Sequence, residues 1–440
     1  MSKFSSRPAP AVLALCAAFF AGAAGAAGVD LPLTLETALR QAQQRSMQLP
    51  AQDAAAAAAR EMAIAAGQLP DPTLKASLTN LPVDGPDRFS LTRDFMTMRS
   101  IGVMQEFTRA DKLQARSSRF AREAEVADAG RVVALAGLRR ETAAAWFDRH
   151  YNESLRDLLQ SQRSEAALQV EAADAAYRGA RGSQADVFAA RSALAQIDDR
   201  LRQAEREIAT AQTRLARWIG DGAAQSLGPL PDLAREPSGT SGLESRIDRH
   251  PQLALLSRQE DVARAEVDVA RSNQRADWSV EIMYSQRGPA YSNMVSVNLA
   301  LPLQWDRRNR QDRELSARLA NVERLRAERT EVRRDIASVA HSWLQQWHSE
   351  RDRLAHYDTT LIPLAGERVR AALAAYRGSS GPLNAVLEAR RMDIETRMEK
   401  LRIETSAATL WARLEYLVAP DPGEPAGPAT GPEAAKEQTR

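Results

Sequence analysis

The chain has 440 residues, with 59 Lys and Arg against 57 Asp and Glu, a single cysteine and 5% aromatic residues. That balance leaves a formal net charge of only +2, too little to hold nucleic acid, and one cysteine excludes an internal disulfide framework. Alanine, arginine, glutamate, glutamine and leucine fill long stretches, a makeup of extended helices and coiled coils more than of ordinary α/β domains.

The first residues read as a secretory signal peptide over 1–26. Lys3 and Arg7 precede an apolar run from Ala9 to Ala23, and Ala24-Gly25-Ala26 supplies a small-residue cleavage pattern. Cys16 lies inside the apolar run and follows Leu15, where a lipid-attachment site wants a small residue, so the mature chain is expected to begin near Ala27 without an acyl anchor. Loss of Lys3 and Arg7 leaves 57 basic and 57 acidic residues. No later apolar run reaches the eighteen residues that a spanning helix needs, so any membrane crossing falls to strands.

A first repeat is expected over 27–219. Helical periodicity runs from about Leu35 to Gln68, with Pro50 as the expected break, and Pro70-Asp71-Pro72 ends it. Residues 73–81 then alternate, with Leu74, Ala76 and Leu78 on one face and Lys75, Ser77 and Thr79 on the other, which predicts a strand with one apolar face. After a loop rich in Pro, Gly and Asp, residues 99–107 give a second strand with Ile101 and Val103 on its apolar face. Long helices are predicted over 110–177 and 183–219, the first on the order of 100 Å long at 1.5 Å per residue, which suits a coiled-coil wall.

Residues 220–242 are rich in Gly, Pro and Ser and read as an ordered loop or linker. A second repeat, 243–417, follows the same plan. Trp278, Val280, Ile282 and Tyr284 alternate with Ser279, Glu281, Met283 and Ser285 over 277–286. Val295, Val297, Leu299 and Leu301 alternate with Ser296, Asn298 and Ala300 over 293–303, and Pro302 closes the strand. Long helices are predicted over 310–377 and 382–417, and the Pro/Gly/Ala-rich 418–440 as a disordered tail. Duplication is marked by Ala176-Tyr177-Arg178-Gly179, which recurs 199 positions later as Ala375-Tyr376-Arg377-Gly378, with Val187 and Ala190-Arg191 matched by Val386 and Ala389-Arg390.

The expected class is mainly α with a small β part. Four strands of bilayer length cannot close a barrel, and open edges are not viable in lipid. A homotrimer would close twelve.

This order of features resembles the TolC family of outer-membrane factors over nearly all of the mature chain. The resemblance is carried by Leu33-Thr34-Leu35-Glu36-Thr37-Ala38-Leu39, Pro70-Asp71-Pro72, Gln105-Glu106, Leu301-Pro302-Leu303 and the paired Tyr-Arg-Gly turns. Phe95-Met96-Thr97-Met98, preceded by Asn80-Leu81-Pro82, is similar to the branch that partners resistance pumps for copper and silver or for cobalt, zinc and cadmium. Many of that branch are lipoproteins, and this sequence departs from them at Cys16. The resemblance implies a twelve-stranded trimeric barrel in outer-membrane lipid and a helical tunnel in the periplasm. It also implies a periplasmic adaptor, an inner-membrane pump of the RND class, no cofactor, and passive efflux of metal cations. Drug efflux or type I protein secretion through the same fold is the alternative, and a soluble periplasmic coiled-coil scaffold is a third reading that the four strands disfavour.

Under the resemblance, Tyr177, Arg178, Gly179, Gly182, Tyr376, Arg377, Gly378 and Gly381 form the periplasmic tips where the adaptor docks; glycine equally serves to reverse a helical hairpin. Asp186 and Glu388 fall where relatives place acids lining the closed end, a ring that favours cations; an acid near a helix start also suits the helix dipole. Met96, Met98 and Met104 offer thioethers to Cu(I) or Ag(I), or are loop and barrel-end residues. His341 and His348, seven apart beside Trp343 and Trp347, bind metal only with a third ligand from another chain; seam packing is the other reading. No G-x-x-x-x-G-K-[ST], H-E-x-x-H or G-x-S-x-G pattern occurs, so no enzymatic activity is expected.

Overall fold

A computed structural model describes residues 32–237, 242–378 and 380–418. The expected leader with Cys16, and the tail beyond Val418, lie outside the described residues.

The chain enters through Leu33, whose N–H donates to the Ser226 carbonyl and whose carbonyl accepts from Gly228 N–H. Thr34 then caps α1 (Leu35–Arg45) through its hydroxyl. The next helix, α2 (Gln48–Ala66), begins after Ser46-Met47. The expected break at Pro50 is therefore displaced to Ser46-Met47: Pro50 sits in the first turn of α2, where its missing N–H leaves no helical bond unmade. Its carbonyl-side neighbour Ala51 already donates to Met47.

Four strands follow the predicted alternation: β1 (Thr73–Thr79), β2 (Met98–Phe107), β3 (Trp278–Gln286) and β4 (Met294–Ala300). They form one antiparallel sheet in the order β1-β2-β3-β4, with Leu78 opposite Arg99, Ile101 opposite Tyr284 and Ile282 opposite Val297. Leu74, Leu78, Ile101, Val103, Ile282, Tyr284, Val295, Val297 and Leu299 expose one face. The opposite face is polar. There Lys75 Nζ reaches Glu281 Oε2 at 2.9 Å, and the Ser100 and Ser285 hydroxyls bond at 2.8 Å. β1 and β4 pair with nothing on their outer edges among the described residues.

The helices that adjoin the strands all meet the sheet at one end. α3 (Ala110–Arg178) leaves β2 as an unbroken helix of 69 residues and returns as α4 (Gln184–Ile219). In the second half α5 (Leu243–Asp248) and α6 (Pro251–Ser272) precede β3. After β4, α7 (Gln311–His356) is followed by a π turn over Tyr357–Leu361, then α8 (Ile362–Arg377) and α9 (Leu383–Glu415). The single helix expected over 310–377 is thus interrupted. Pro363 has no N–H for the carbonyl four residues back, and the Ile362 N–H bonds Tyr357, five back.

The main core lies near mid-length, where α1, α3, α4, α7 and α9 converge on Trp146, Phe147, Leu215, Trp347 and Leu414. Trp146 donates its indole N–H to the Leu33 carbonyl at 3.0 Å, so the chain entry is fastened to the wall. Each such fully buried aromatic contributes roughly 1.5–3 kcal/mol of apolar transfer. A separate cluster of Ala173, Val187, Ala190, Leu383 and Val386 joins the far ends of both hairpins.

Candidate functional site

The helical end remote from the sheet is built twice, each time from Ala-Tyr-Arg-Gly with a second glycine three residues on, and with the same pattern of turn bonds. In the first hairpin the Gly179 N–H donates to Ala175, and Arg181 and Gly182 both donate to Ala176. In the second, Gly378 donates to Ala374, and Ser380 and Gly381 both donate to Ala375. The glycines nevertheless act differently from expectation. Gly179 and Gly378 have negative φ, and the left-handed place in the first turn is taken by Ala180 at φ 56°. Gly182 and Gly381 sit in crowded places, since a Cβ on either would press an Ala176 or Ala375 methyl at 3.2 or 3.1 Å.

The two tips share one small core, in which Tyr376 packs against Leu383 and Val386 while Tyr177 stands exposed. Arg178 pairs with Asp174, whereas Arg377 is exposed and has no ion-pair partner among the described residues. Arg390 contacts Glu165 across the two hairpins.

Asp186 closes a capping box: its Oδ2 accepts from the Ser183 N–H at 2.9 Å and hydroxyl at 2.7 Å, and its N–H donates back to Ser183 Oγ. Those bonds hold its carboxyl below the ordinary carboxylate range. Glu388 is exposed, and the Arg391 guanidinium at 2.9 Å likewise lowers its pKa. Both are anionic at neutral pH, but Asp186 is engaged in its own helix start.

The remaining expected ligands do not converge. Met96 is an exposed loop residue, Met98 opens β2 opposite Thr79, and Met104 lies on the polar sheet face opposite Thr73. His341 meets Glu244 at 3.1 Å, and His348 packs its ring on Trp347. Among the described residues no group of three or more His, Cys, Asp or Glu side chains could hold a metal ion.

Three polar clusters went unforeseen. Lys75 and Glu281 meet over Gly102, the residue of β2 that lies between their strands; glycine inside a strand signals such a close approach. Lys112 and Asp277 pair at 2.6 Å where strands become helices, with Asp277 also accepting from the Arg109 N–H. Glu260 is buried between α6 and α7, within reach of Arg264, Arg326 and Arg329. Burial alone would raise its pKa, and these guanidinium groups bring it below the ordinary value.

No protein-family model matches the sequence, and no curated protein matches it. Solved structures do. The outer-membrane channel OprN aligns at 14% identity and TM-score 0.73, covering 88% of this chain and 90% of that one. The outer membrane protein VceC of Vibrio cholerae aligns at 16% identity and TM-score 0.70, covering 87% and 95%. CusC, described as forming a transmembrane channel, aligns at 14% and 0.69, covering 88% and 92%, no nearer than the other two. The chain therefore has the fold of these outer-membrane channel proteins, long helices carrying a small antiparallel sheet.

Proposed function

We propose that this protein is the outer-membrane duct of a tripartite efflux system, exported by its leader and assembled as a homotrimer. The observation that carries the reading is the sheet: four strands with one exposed apolar face and one polar face, standing on helices about 100 Å long. In water such a face would be costly, and a lipid surround removes the cost. Three copies would pair β4 of one with β1 of the next and enclose a polar lumen lined by Lys75, Glu281, Ser100 and Ser285.

The paired tips would then meet a periplasmic adaptor, with exposed Tyr177 and unpaired Arg377 as the available side chains, and an inner-membrane pump of the RND class would supply the energy. Glu388 is the better candidate for a cation-favouring ring, because Asp186 is held in its cap. Metal cations are the proposed cargo, on the resemblance of the Phe95–Met98 segment alone. The duct would work by passage and carry out no chemistry.

Planar-bilayer recording of the purified full chain should show channels that favour cations over anions, with selectivity reduced in Glu388→Gln. Absence of conductance from protein recovered in the outer-membrane fraction would defeat the duct reading. Growth of a strain lacking the native gene, scored on copper, silver, zinc, cobalt and cadmium against a panel of drugs, tests the cargo. Protection against drugs with none against metals would remove the metal assignment.

A further inference from the structure

The apolar spacing of β4 does not stop with the strand. Val295, Val297 and Leu299 are followed at the same interval by Leu301, Leu303 and Trp305, all exposed, and Trp305 is 88% exposed. The stripe then ends abruptly in Asp306-Arg307-Arg308-Asn309-Arg310. This segment is ordered as a turn, with Arg310 N–H donating to Asp306 and Asp312 N–H to Arg307. Asn309 occupies the Asp306 carboxylate at 2.9 Å and Arg307 pairs with Asp312 at 3.2 Å. Arg308 and Arg310 are exposed and have no acidic partner among the described residues.

The corresponding exit from β2 is different. There Arg109 pairs with Asp111 and Lys112 with Asp277, so its cations are neutralised within the chain. One strand exit thus keeps its charge to itself and the other presents it, directly beyond an apolar stripe capped by an indole.

We infer that the segment from Trp305 to Arg310 docks the net-anionic headgroup of a phospholipid in the periplasmic leaflet of the outer membrane. The inference rests on the barrel reading above, which places the helix-bearing end of the sheet toward the periplasm. Its chemistry is direct: Leu301 and Leu303 lie along acyl chain, Trp305 takes the interfacial level that indole favours, and the two free guanidinium groups meet phosphate oxygens in bidentate fashion. Glu314, at the start of α7, is the nearest remaining acid in sequence, and exposed Arg313 beside it offsets its charge.

The test uses the full chain reconstituted in mixed bilayers, with phosphatidylglycerol or phosphatidylcholine brominated on its acyl chains. The difference in quenching between the parent and Trp305→Phe reports lipid beside Trp305 alone. Phosphatidylglycerol should be preferred there by about fivefold for each free arginine. The preference should fall close to one in Arg308→Gln/Arg310→Gln, and in molar salt, where the Debye length is about 3 Å. Equal quenching by the two lipids in the parent, or a preference that survives in the double variant, overturns the inference and leaves the barrel reading standing. Absence of any Trp305-dependent quenching by either lipid overturns both.

Discussion

Asp186 illustrates how much one carboxylate's sequence position leaves open. An acid three residues after a serine, at the start of a helix, fits a pore ring and a cap equally well, and the observed bonds to Ser183 supply the cap. Asp186→Ala should cost about 1 kcal/mol at the start of α4 and speed amide exchange at Ser183, whose N–H loses its acceptor, with Asp186→Asn losing less. Unchanged exchange in the alanine variant would show that the box contributes nothing. His250 gives a pH prediction. Its Nδ1 accepts from the Gln252 N–H at the start of α6, and burial, reinforced by the Arg140 charge, pushes it down to about 4. The unfolded chain, with an ordinary histidine near 6.5, takes up a proton first as pH falls, so stability declines from pH 6.5 toward 4 and is unaffected above. His250→Asn, which keeps a capping oxygen, should reduce that decline by about 1–2 kcal/mol, read from thermal melts of the helical signal. The cap was legible in part, since Ser183 lies three residues before Asp186; the titration of His250 was not, because its burial and the Arg140 charge come from distant parts of the chain.

Elements were more legible than contacts. Strand alternation shows in the sequence because one face must be apolar throughout, and the uninterrupted α3 shows because 69 residues pass without proline. Proline was a weaker guide to where a helix breaks: Pro50 is tolerated in a first turn, whereas Pro363 goes with a widened turn. The Lys75–Glu281 pair spans 206 positions and could not be seen along the chain, although Gly102 marks its place. A Cβ at Gly102 would lie 2.6 Å from the Ile282 carbonyl oxygen, a backbone atom that cannot step aside. Gly102→Ala should therefore force β2 from β3 at a cost of about 1–3 kcal/mol and lower the yield of assembled protein in the outer membrane. Normal yield with the parent's heat resistance would refute that account.

For the molecule as a whole, the expected species in mild detergent is a trimer rich in helix, and native mass measurement finding monomer or dimer alone would refute the architecture. Gly179→Trp with Gly378→Trp should leave that species intact. Both positions have negative φ, and a Cβ there would lie 3.3 Å from a carbonyl oxygen, a tight contact whose relief is confined to the turn, far from the sheet and the main core. Export should fall, because the added bulk stands at the end an adaptor would reach; full protection of cells by an assembled variant would return these turns to a purely structural role. The unpaired outer edges of β1 and β4 bear on synthesis as much as on architecture. If the homotrimer proposed above closes these edges, completing the sheet would be a meeting of three chains, and its rate should climb more steeply than in proportion to their supply. Below some threshold of expression, protomers would reach the periplasm and wait there as prey for proteases, so that a cell making half as much protein would hold fewer than half as many ducts.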